Sequence, residues 1–280
     1  MMTIKIVTDS SADLDQALIE QWDIHVISHL IEMDGKQYLD RVNITPAECL
    51  EYMKQSPDVP KTSQPPIGAF LELYEQLTAD GSEVLSIHIS GQLSGTVSTA
   101  YMAANQVDGK VTVFDSHFLS KTLAFQVIEA AKMAKEGKTV EEIIERLEKI
   151  RENSRLYVVL DTLEFLNKGG RIGKGKALLG SLLKIKPIAA IHDGVYTPIA
   201  TVRNYNQAMK HMLQLLKEDT QGKVLKAISV GHAGGLKRAT QLKNKIMELY
   251  ENVTIQIDET TPIIGTHTGP ETVGLMYFVE

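Results

Sequence analysis

Cysteine is nearly missing from this sequence. Cys49 is the only one in 280 residues, so no intrachain disulfide can form. Positive charge is not in excess either: 29 Lys and Arg stand against 35 Asp and Glu, a formal net charge of -6. Such a balance gives no global basic field and argues against a nucleic-acid partner, leaving only a local basic patch open. No stretch approaches the roughly 18 consecutive apolar residues that a membrane-spanning helix needs. The opening "MMTIKIVTDSS" has neither the charged n-region nor the apolar h-region of a secretory signal. We therefore expect a cytoplasmic protein with no transmembrane segment, for which transient contact with a membrane surface stays open. Internal repeats and low-complexity linkers are also missing.

The hydrophobic content, 43% of the chain, can build a sizeable core and reads more naturally as two domains than as one. In the first half, short apolar runs alternate with amphipathic ones, the pattern of an α/β domain with a mostly parallel sheet flanked by helices. Strands are expected at residues 4–8, 24–31, 83–89, 110–114 and 155–160. Helices are expected at 13–21, 66–77, 96–104, 122–135 and 140–152. Thr45-Pro46-Ala47-Glu48 forms a capping box with proline at the first helical position, and Thr139 with Glu142 forms another.

After Asp161 the texture changes. The stretch "TLEFLNKGGRIGKGKALLGSLLKIKPIAAIHDGVYTPIATVRN" suggests two short helices, a glycine-basic turn and a hairpin turning at Asp193-Gly194. The rest reads as helix 205–217, strand 227–231, helix 236–250, strand 253–257 and a final strand at 273–278. We expect an α/β domain at 1–160 and a smaller α+β domain at 161–280, with a cleft between them as the default ligand site.

Ligands of open parallel sheets sit at the carboxyl ends of strands, and here those ends are rich in hydroxyls: "TDSSAD", "SGQLSGT" and "DSHFLS". In "SGQLSGT", Ser90, Ser94 and Thr96 offer neutral donors, while Gly91 and Gly95 admit close backbone approach. The helix opening at Thr96 aims its unpaired N–H groups at the same place. This is an anion site without a cation, suited to a carboxylate or phosphate. A lone Ser94 would read as an ordinary helix cap, but three hydroxyls in seven residues favour a ligand. In "KTSQPPIG", Thr62 and Ser63 precede a Pro-Pro pair that opens a helix, where a capping role and a ligand role are evenly matched. In "PIIGTHTGPETVG", His267 lies between threonines in a segment whose glycines and proline argue for a loop. A histidine that met a hydroxyl-lined anion site could donate to the anion or shuttle a proton.

Sharper motifs fit less well. "GRIGKGKA" satisfies G-x-x-x-x-G-K, but Ala177 stands where a nucleotide-binding loop needs Ser or Thr, and no strand directly precedes it. Its charges, Lys168, Arg171, Lys174 and Lys176, still form a basic knuckle fit for an acidic or phosphorylated partner. "GQLSG" is not a nucleophile elbow, although Ser94, His267 and Asp115 could assemble as a serine acyl hydrolase. His25 and His29 share a face of an expected strand, but no further ligands accompany them, so no metal is expected.

Taken together, "VTDSSADL", "TSQPPIGAF", "ISGQLSGTVSTA", "FDSHFLS", "LEFLNKGGRIGK" and "GTHTGPETVGLMY" resemble the DegV family in order and spacing across essentially the whole chain. The resemblance implies the two-domain DegV-like fold and a long-chain fatty acid held in a tunnel, mainly in the first domain, with its carboxylate near the domain interface. It also implies a separate ATP-dependent fatty acid kinase as partner, to which the carboxylate is presented for acyl phosphate formation in support of phospholipid synthesis. On that resemblance Thr62, Ser94 and His267 bind the carboxylate, Ser63, Gly95 and Thr96 complete the head-group loop, and Arg203 lies near the head group and assists with His267. Arg171 and Lys174 fall on the expected kinase-docking surface. No cofactor is implied beyond the bound fatty acid, and no complete active site on this chain. A lipid carrier or sensor without a kinase partner is the further alternative. The family often has glycine where this chain has Glu271, which bears on the backbone beside His267. Phe70, Leu73 and Met102 are candidates for the tunnel wall. Burying about fourteen methylenes is worth roughly 11 kcal/mol before ordering costs, so chain burial would supply the affinity and the head group the orientation.

Overall fold

A computed structural model describes residues 3–178, 185–250 and 253–280. The elements begin with β1 (Ile4–Asp9), α1 (Gln16–Trp22), β2 (Ile24–Ile27), β3 (Leu30–Met33), β4 (Lys36–Leu39), α2 (Pro46–Gln55), β5 (Lys61–Ser63) and α3 (Ile67–Thr78). Then come β6 (Glu83–His88), α4 (Thr96–Ala104), β7 (Val111–Asp115), α5 (Ser120–Lys135), α6 (Val140–Asn153), β8 (Ser154–Val159) and α7 (Glu164–Lys168). The last are β9 (Lys186–His192), β10 (Val195–Val202), α8 (Tyr205–Asp219), β11 (Leu225–Ala233), α9 (Leu236–Met247), β12 (Gln256–Glu259), α10 (Pro262–Thr268) and β13 (Thr272–Val279). Among the described residues no helix is long and apolar enough to cross a membrane.

The chain clusters into two units. One comprises the chain up to Leu30 with Ser63–Glu152, the other Ile31–Thr62 with Asn153–Glu280. This differs from a single cut at residue 160, because the segment 31–62 belongs with the later half and makes that unit the longer one.

The first unit is a parallel sheet in the order β2-β1-β6-β7. β1 has β2 on one side and β6 on the other, so a topological switch point lies at the carboxyl ends of β1 and β6. Their register pairs Val7 with Ser86, which brings Asp9 level with His88. Phe70, Tyr74 and Leu77 of α3 recur at helical spacing, as do Val97, Ala100 and Ala103 of α4. Both stripes pack with Val7, Val84 and Val113 in one core.

The second unit carries a six-stranded sheet, β10-β9-β8-β13-β11-β12, in which β11 and β12 pair in parallel and the other neighbours are antiparallel. The strand near 155–160 therefore leaves the parallel sheet in which it was expected. As β8 it pairs with β13 and β9, a non-local choice invisible to local patterning. The expected strand at 24–31 divides as well: β2 joins the parallel sheet, and β3 joins a three-stranded sheet, β4-β3-β5.

Both capping boxes form. Thr45 Oγ1 accepts the Glu48 N–H at 3.3 Å while the Glu48 carboxylate accepts the Thr45 N–H at 2.8 Å, and Thr139 with Glu142 does the same. The hairpin turns where expected, with Asp193 and Gly194 at φ 50° and 77°, the positive values of a type I′ turn. Of the two short helices expected after Asp161, α7 is the first. A 3-10 turn occupies Gly173–Leu178, and the rest of the second, at 179–184, lies outside the described residues.

Candidate carboxylate site

In the first unit, the loop after β6 folds its hydroxyls inward. Ser90 and Thr96 are buried and Ser94 is half-buried. The cap of α4 is Gly95, which makes no side-chain cap bond, so Ser94 is not the helix cap. Its Oγ accepts the Thr96 N–H at 3.3 Å and lies 2.7 Å from Thr96 Oγ1. A Cβ on Gly95 would stand 2.3 Å from Gln64 Oε1, so the end of that exposed side chain would have to move aside. Gln64 is fixed in turn by donating to Thr99 Oγ1 at 2.9 Å.

Beneath this loop lies a polar core. Asp9, at the end of β1, is buried. Its Oδ2 accepts from His88 Nδ1 at 3.0 Å and from the Ile89 N–H at 2.9 Å, and its Oδ1 accepts from the N–H and hydroxyl of Ser11. Burial pushes the Asp9 carboxyl up. The His88 hydrogen bond, the charges of His29 and His88 and the Ser11 hydroxyl outweigh it and hold the group well below the usual carboxylate range. His88 Nε2 is 2.6 Å from Ser86 Oγ, which accepts from Tyr74 at 2.8 Å. His29 is buried and connects Ser10 to Thr96.

None of Asp9, His29 and His88 was singled out as a ligand-site residue from sequence. The available signal was Asp9 and His88 at the carboxyl ends of two expected strands. His29 was weighed only as a metal ligand on a strand face with His25. β2 ends at Ile27, so His25 is in the strand and His29 beyond it, and the shared face does not exist. Among the described residues no group of three or more His, Cys, Asp or Glu side chains is placed to hold a metal.

In the second unit, Thr62 Oγ1 lies 2.8 Å from His267 Nε2. Thr62 and Ser63 belong to β5, and the cap of α3 is Pro66 without a side-chain bond. The capping role considered for these hydroxyls is therefore not taken up: the Pro65-Pro66 pair favours extended backbone before it. His267 is on a helix, α10, and not in a loop. Pro262 occupies the first helical turn, where a missing N–H costs nothing, and Gly265 lies inside without ending the helix. The imidazole is hemmed in by backbone, because a Cβ on Gly169 would fall 2.2 Å from His267 Nδ1. Glu271 adopts φ 65°, a left-handed conformation that glycine enters freely and glutamate at a cost. Arg238 braces it with an ion pair at 2.8 Å.

The remaining candidates scatter. Ser63 is exposed, and so is Arg203, whose backbone N–H donates to Gln207 Oε1 at 2.9 Å. Half-buried Arg171 donates from Nη1 to the Gly169 carbonyl at 2.7 Å, and Lys174 is exposed in the 3-10 turn. Of the expected wall residues, Phe70 is fully buried with its ring edge-on to His88, centroids 5.4 Å apart, and Leu73 is half-buried. Met102 is 51% exposed, because α4 turns Val97, Ala100 and Ala103 inward.

Neutral hydroxyls and an imidazole suit an anion that must be oriented more than neutralised. The model of the DegV family of uncharacterised proteins matches residues 3–280. A DegV domain-containing protein of Staphylococcus aureus is 41% identical over 271 residues, 97% of each chain. A fatty-acid-binding DegV family protein from Thermus thermophilus has the same fold, with a TM-score of 0.94, 32% identity and all of both chains covered. DegV of Bacillus subtilis, described as a fatty acid binding protein, superposes with a TM-score of 0.92 at 32% identity, again over all of both chains.

Proposed function

The chain belongs to the DegV family, and from that premise we propose that it binds a long-chain fatty acid, oriented by Ser94, Thr62 and His267 at the carboxylate. The observation that supports this head-group reading most is the Thr62–His267 hydrogen bond, 2.8 Å between residues 205 positions apart. It joins two of the three expected carboxylate ligands through neutral groups of the hydroxyl and imidazole kind. The full-length likeness to two fatty-acid-binding proteins supports the acyl chain as cargo.

In this reading the protein is a cytoplasmic substrate subunit with no complete active site of its own. A separate kinase brings ATP. A carboxylate oxygen attacks the γ-phosphorus, the bond to the leaving ADP breaks, and acyl phosphate forms. A carboxylate held by neutral donors keeps more nucleophilic character than one locked to a cation, which is why a hydroxyl site suits such a step. His267 and Arg203 would assist the transfer, and Arg171 and Lys174 would meet the kinase. The hydrolase alternative gains no support from Ser94, whose hydroxyl is engaged by Thr96 and not by a histidine base.

The test is mass spectrometry of protein purified from bacterial cells, native and then after organic extraction. Stoichiometric long-chain fatty acid is the expected result. An empty protein that also fails to bind added fatty acid would overturn the reading. For the partner, Arg171→Glu should weaken capture of a kinase from native lysate in a salt-dependent way while leaving fatty-acid content unchanged. Recovery of fatty-acid-loaded protein with no kinase at any salt would leave a carrier or sensor.

A further inference from the structure

The loop hydroxyls of the first unit form a directed line that starts at a buried histidine. His29 is 2% exposed and Thr96 fully buried. His29 Nδ1 is 3.2 Å from Ser10 Oγ, its Nε2 is 3.0 Å from Thr96 Oγ1, and Thr96 Oγ1 is 2.7 Å from Ser94 Oγ.

The direction of the line follows from where buried hydrogens can go. Ser10 Oγ accepts the backbone N–H of His29 at 3.2 Å, so its own hydrogen needs an acceptor, and among the described residues His29 Nδ1 provides one. In the neutral imidazole an accepting Nδ1 leaves the proton on Nε2, and in the charged form that lowers the Asp9 carboxyl pKa both nitrogens carry one, so Nε2 donates to Thr96 in either state. The hydrogen of Thr96 then finds its acceptor in Ser94 Oγ. Ser94 also accepts the Thr96 N–H, so both its lone pairs are taken and its own hydrogen points away from the line. The nearby Asp9 carboxylate does not reverse this. Its Oδ1 is 3.7 Å from His29 Nδ1, beyond hydrogen-bond reach, and a fully protonated imidazole would still donate from Nε2.

We propose that His29 is a positioning residue that fixes Ser94 as an outward hydrogen-bond donor and so makes the head-group site select ionised carboxylates over fatty alcohols. The inference rests on the fatty-acid reading and adds a selectivity to it. A Ser94 that can only donate satisfies a carboxylate, which can only accept. It meets a hydroxyl ligand with one useful geometry fewer. Without the Nε2 donor, Thr96 becomes free to accept from Ser94, whose hydrogen turns inward and whose lone pairs then face the carboxylate. The same inward turn leaves Ser94 able to accept from an alcohol.

The test compares hexadecanoate and hexadecan-1-ol binding to the full chain. Wild type should prefer the acid. His29→Leu should lose about tenfold in acid affinity, the scale of one hydrogen bond to a charged group, with alcohol affinity unchanged. His29→Gln, which can place a donor near the Nε2 position, should restore the preference. Equal losses for both ligands in His29→Leu would reduce His29 to a structural role and overturn the proposal. Should His29→Leu fail to fold, long-range proton–nitrogen NMR of the wild-type protein reads the tautomer directly: a proton on Nε2 is expected, and an unprotonated Nε2 overturns the line. A wild type that binds neither probe would remove the fatty-acid reading itself, whereas a wild type that binds the acid while His29→Leu binds it equally well would remove only the proposal.

Discussion

The candidate residues of the two units are held in place by different physics. In the first unit, the Ser94 loop rests on a buried polar core in which Asp9 satisfies four donors, so hydrogen-bond supply sets the direction in which each hydroxyl points. In the second, His267 is held by shape: a glycine backbone stands against the imidazole, and Thr62 meets its far nitrogen. A polar core is costly to damage, because a buried group that loses its partner keeps its desolvation cost. A steric seat is cheap to damage, because a side chain can swing away. Substitutions around Asp9 in the first unit should therefore cost stability, and those around His267 in the second should cost binding.

Asp9→Ala is the most severe way to test that contrast. It strips an acceptor from His88, Ile89 and Ser11 at once, and the expected loss is about 3–5 kcal/mol in denaturant unfolding. Wild-type pH dependence should carry the same signature. The folded Asp9 carboxyl titrates below its ordinary value of 3.8. Its stabilisation is thus complete above about pH 5 and is lost as the pH falls through 3.8 and on through the lower folded value. An acid limb unchanged in Asp9→Ala would place the effect elsewhere.

Thr62→Val should lower fatty-acid affinity by about tenfold with little change in unfolding midpoint, since it removes a partner from a half-buried imidazole. Isothermal titration and denaturant unfolding on the same preparation separate the two. Gly169→Ala should act in the same direction and more weakly on the fold. Gly169 has ordinary right-handed backbone, so alanine brings no conformational strain; the His267 imidazole must move, and the Phe165 carbonyl, 3.1 Å from the new Cβ, must give slightly. An expected midpoint loss below about 1 kcal/mol, with weakened binding, distinguishes a displaced imidazole from a displaced backbone, whose overpacking would cost about 1–3 kcal/mol. Glu271→Gly should have the smallest effect, within about 0.5 kcal/mol. Relief of left-handed backbone, worth roughly 1–2 kcal/mol, is offset by the freer unfolded chain and by loss of the pair with Arg238. A large stabilisation would show that the pair contributes nothing.

What could be foreseen from sequence followed the range of the signal. α4 runs over the span that its pattern predicts, and both capping boxes close, because a cap and the helix it starts lie within one turn of chain. The loop after β6 was legible for the same reason: its hydroxyls and glycines are neighbours in sequence. For His267 the flanking glycines and proline suggest a loop, yet the first turn of a helix accepts proline, and the residue lies on α10. Glu271 takes positive φ, and the hint of it came from the resemblance, through the glycine that the family often has there, and not from local pattern.

Local sequence thus determined most of the helices, the two capping boxes, the turn at Asp193-Gly194, the acidic balance of charge and the hydroxyl-rich character of the strand ends. Tertiary structure alone decided that β8 leaves the parallel sheet for the antiparallel one, that His29 reaches Thr96 across 67 residues and that Thr62 meets His267 across 205. The physical reason is that a turn or a cap is settled by steric and hydrogen-bonding preferences within a few residues. Which strand lies beside which, and which polar groups then face each other, depends on the register and packing of the whole core.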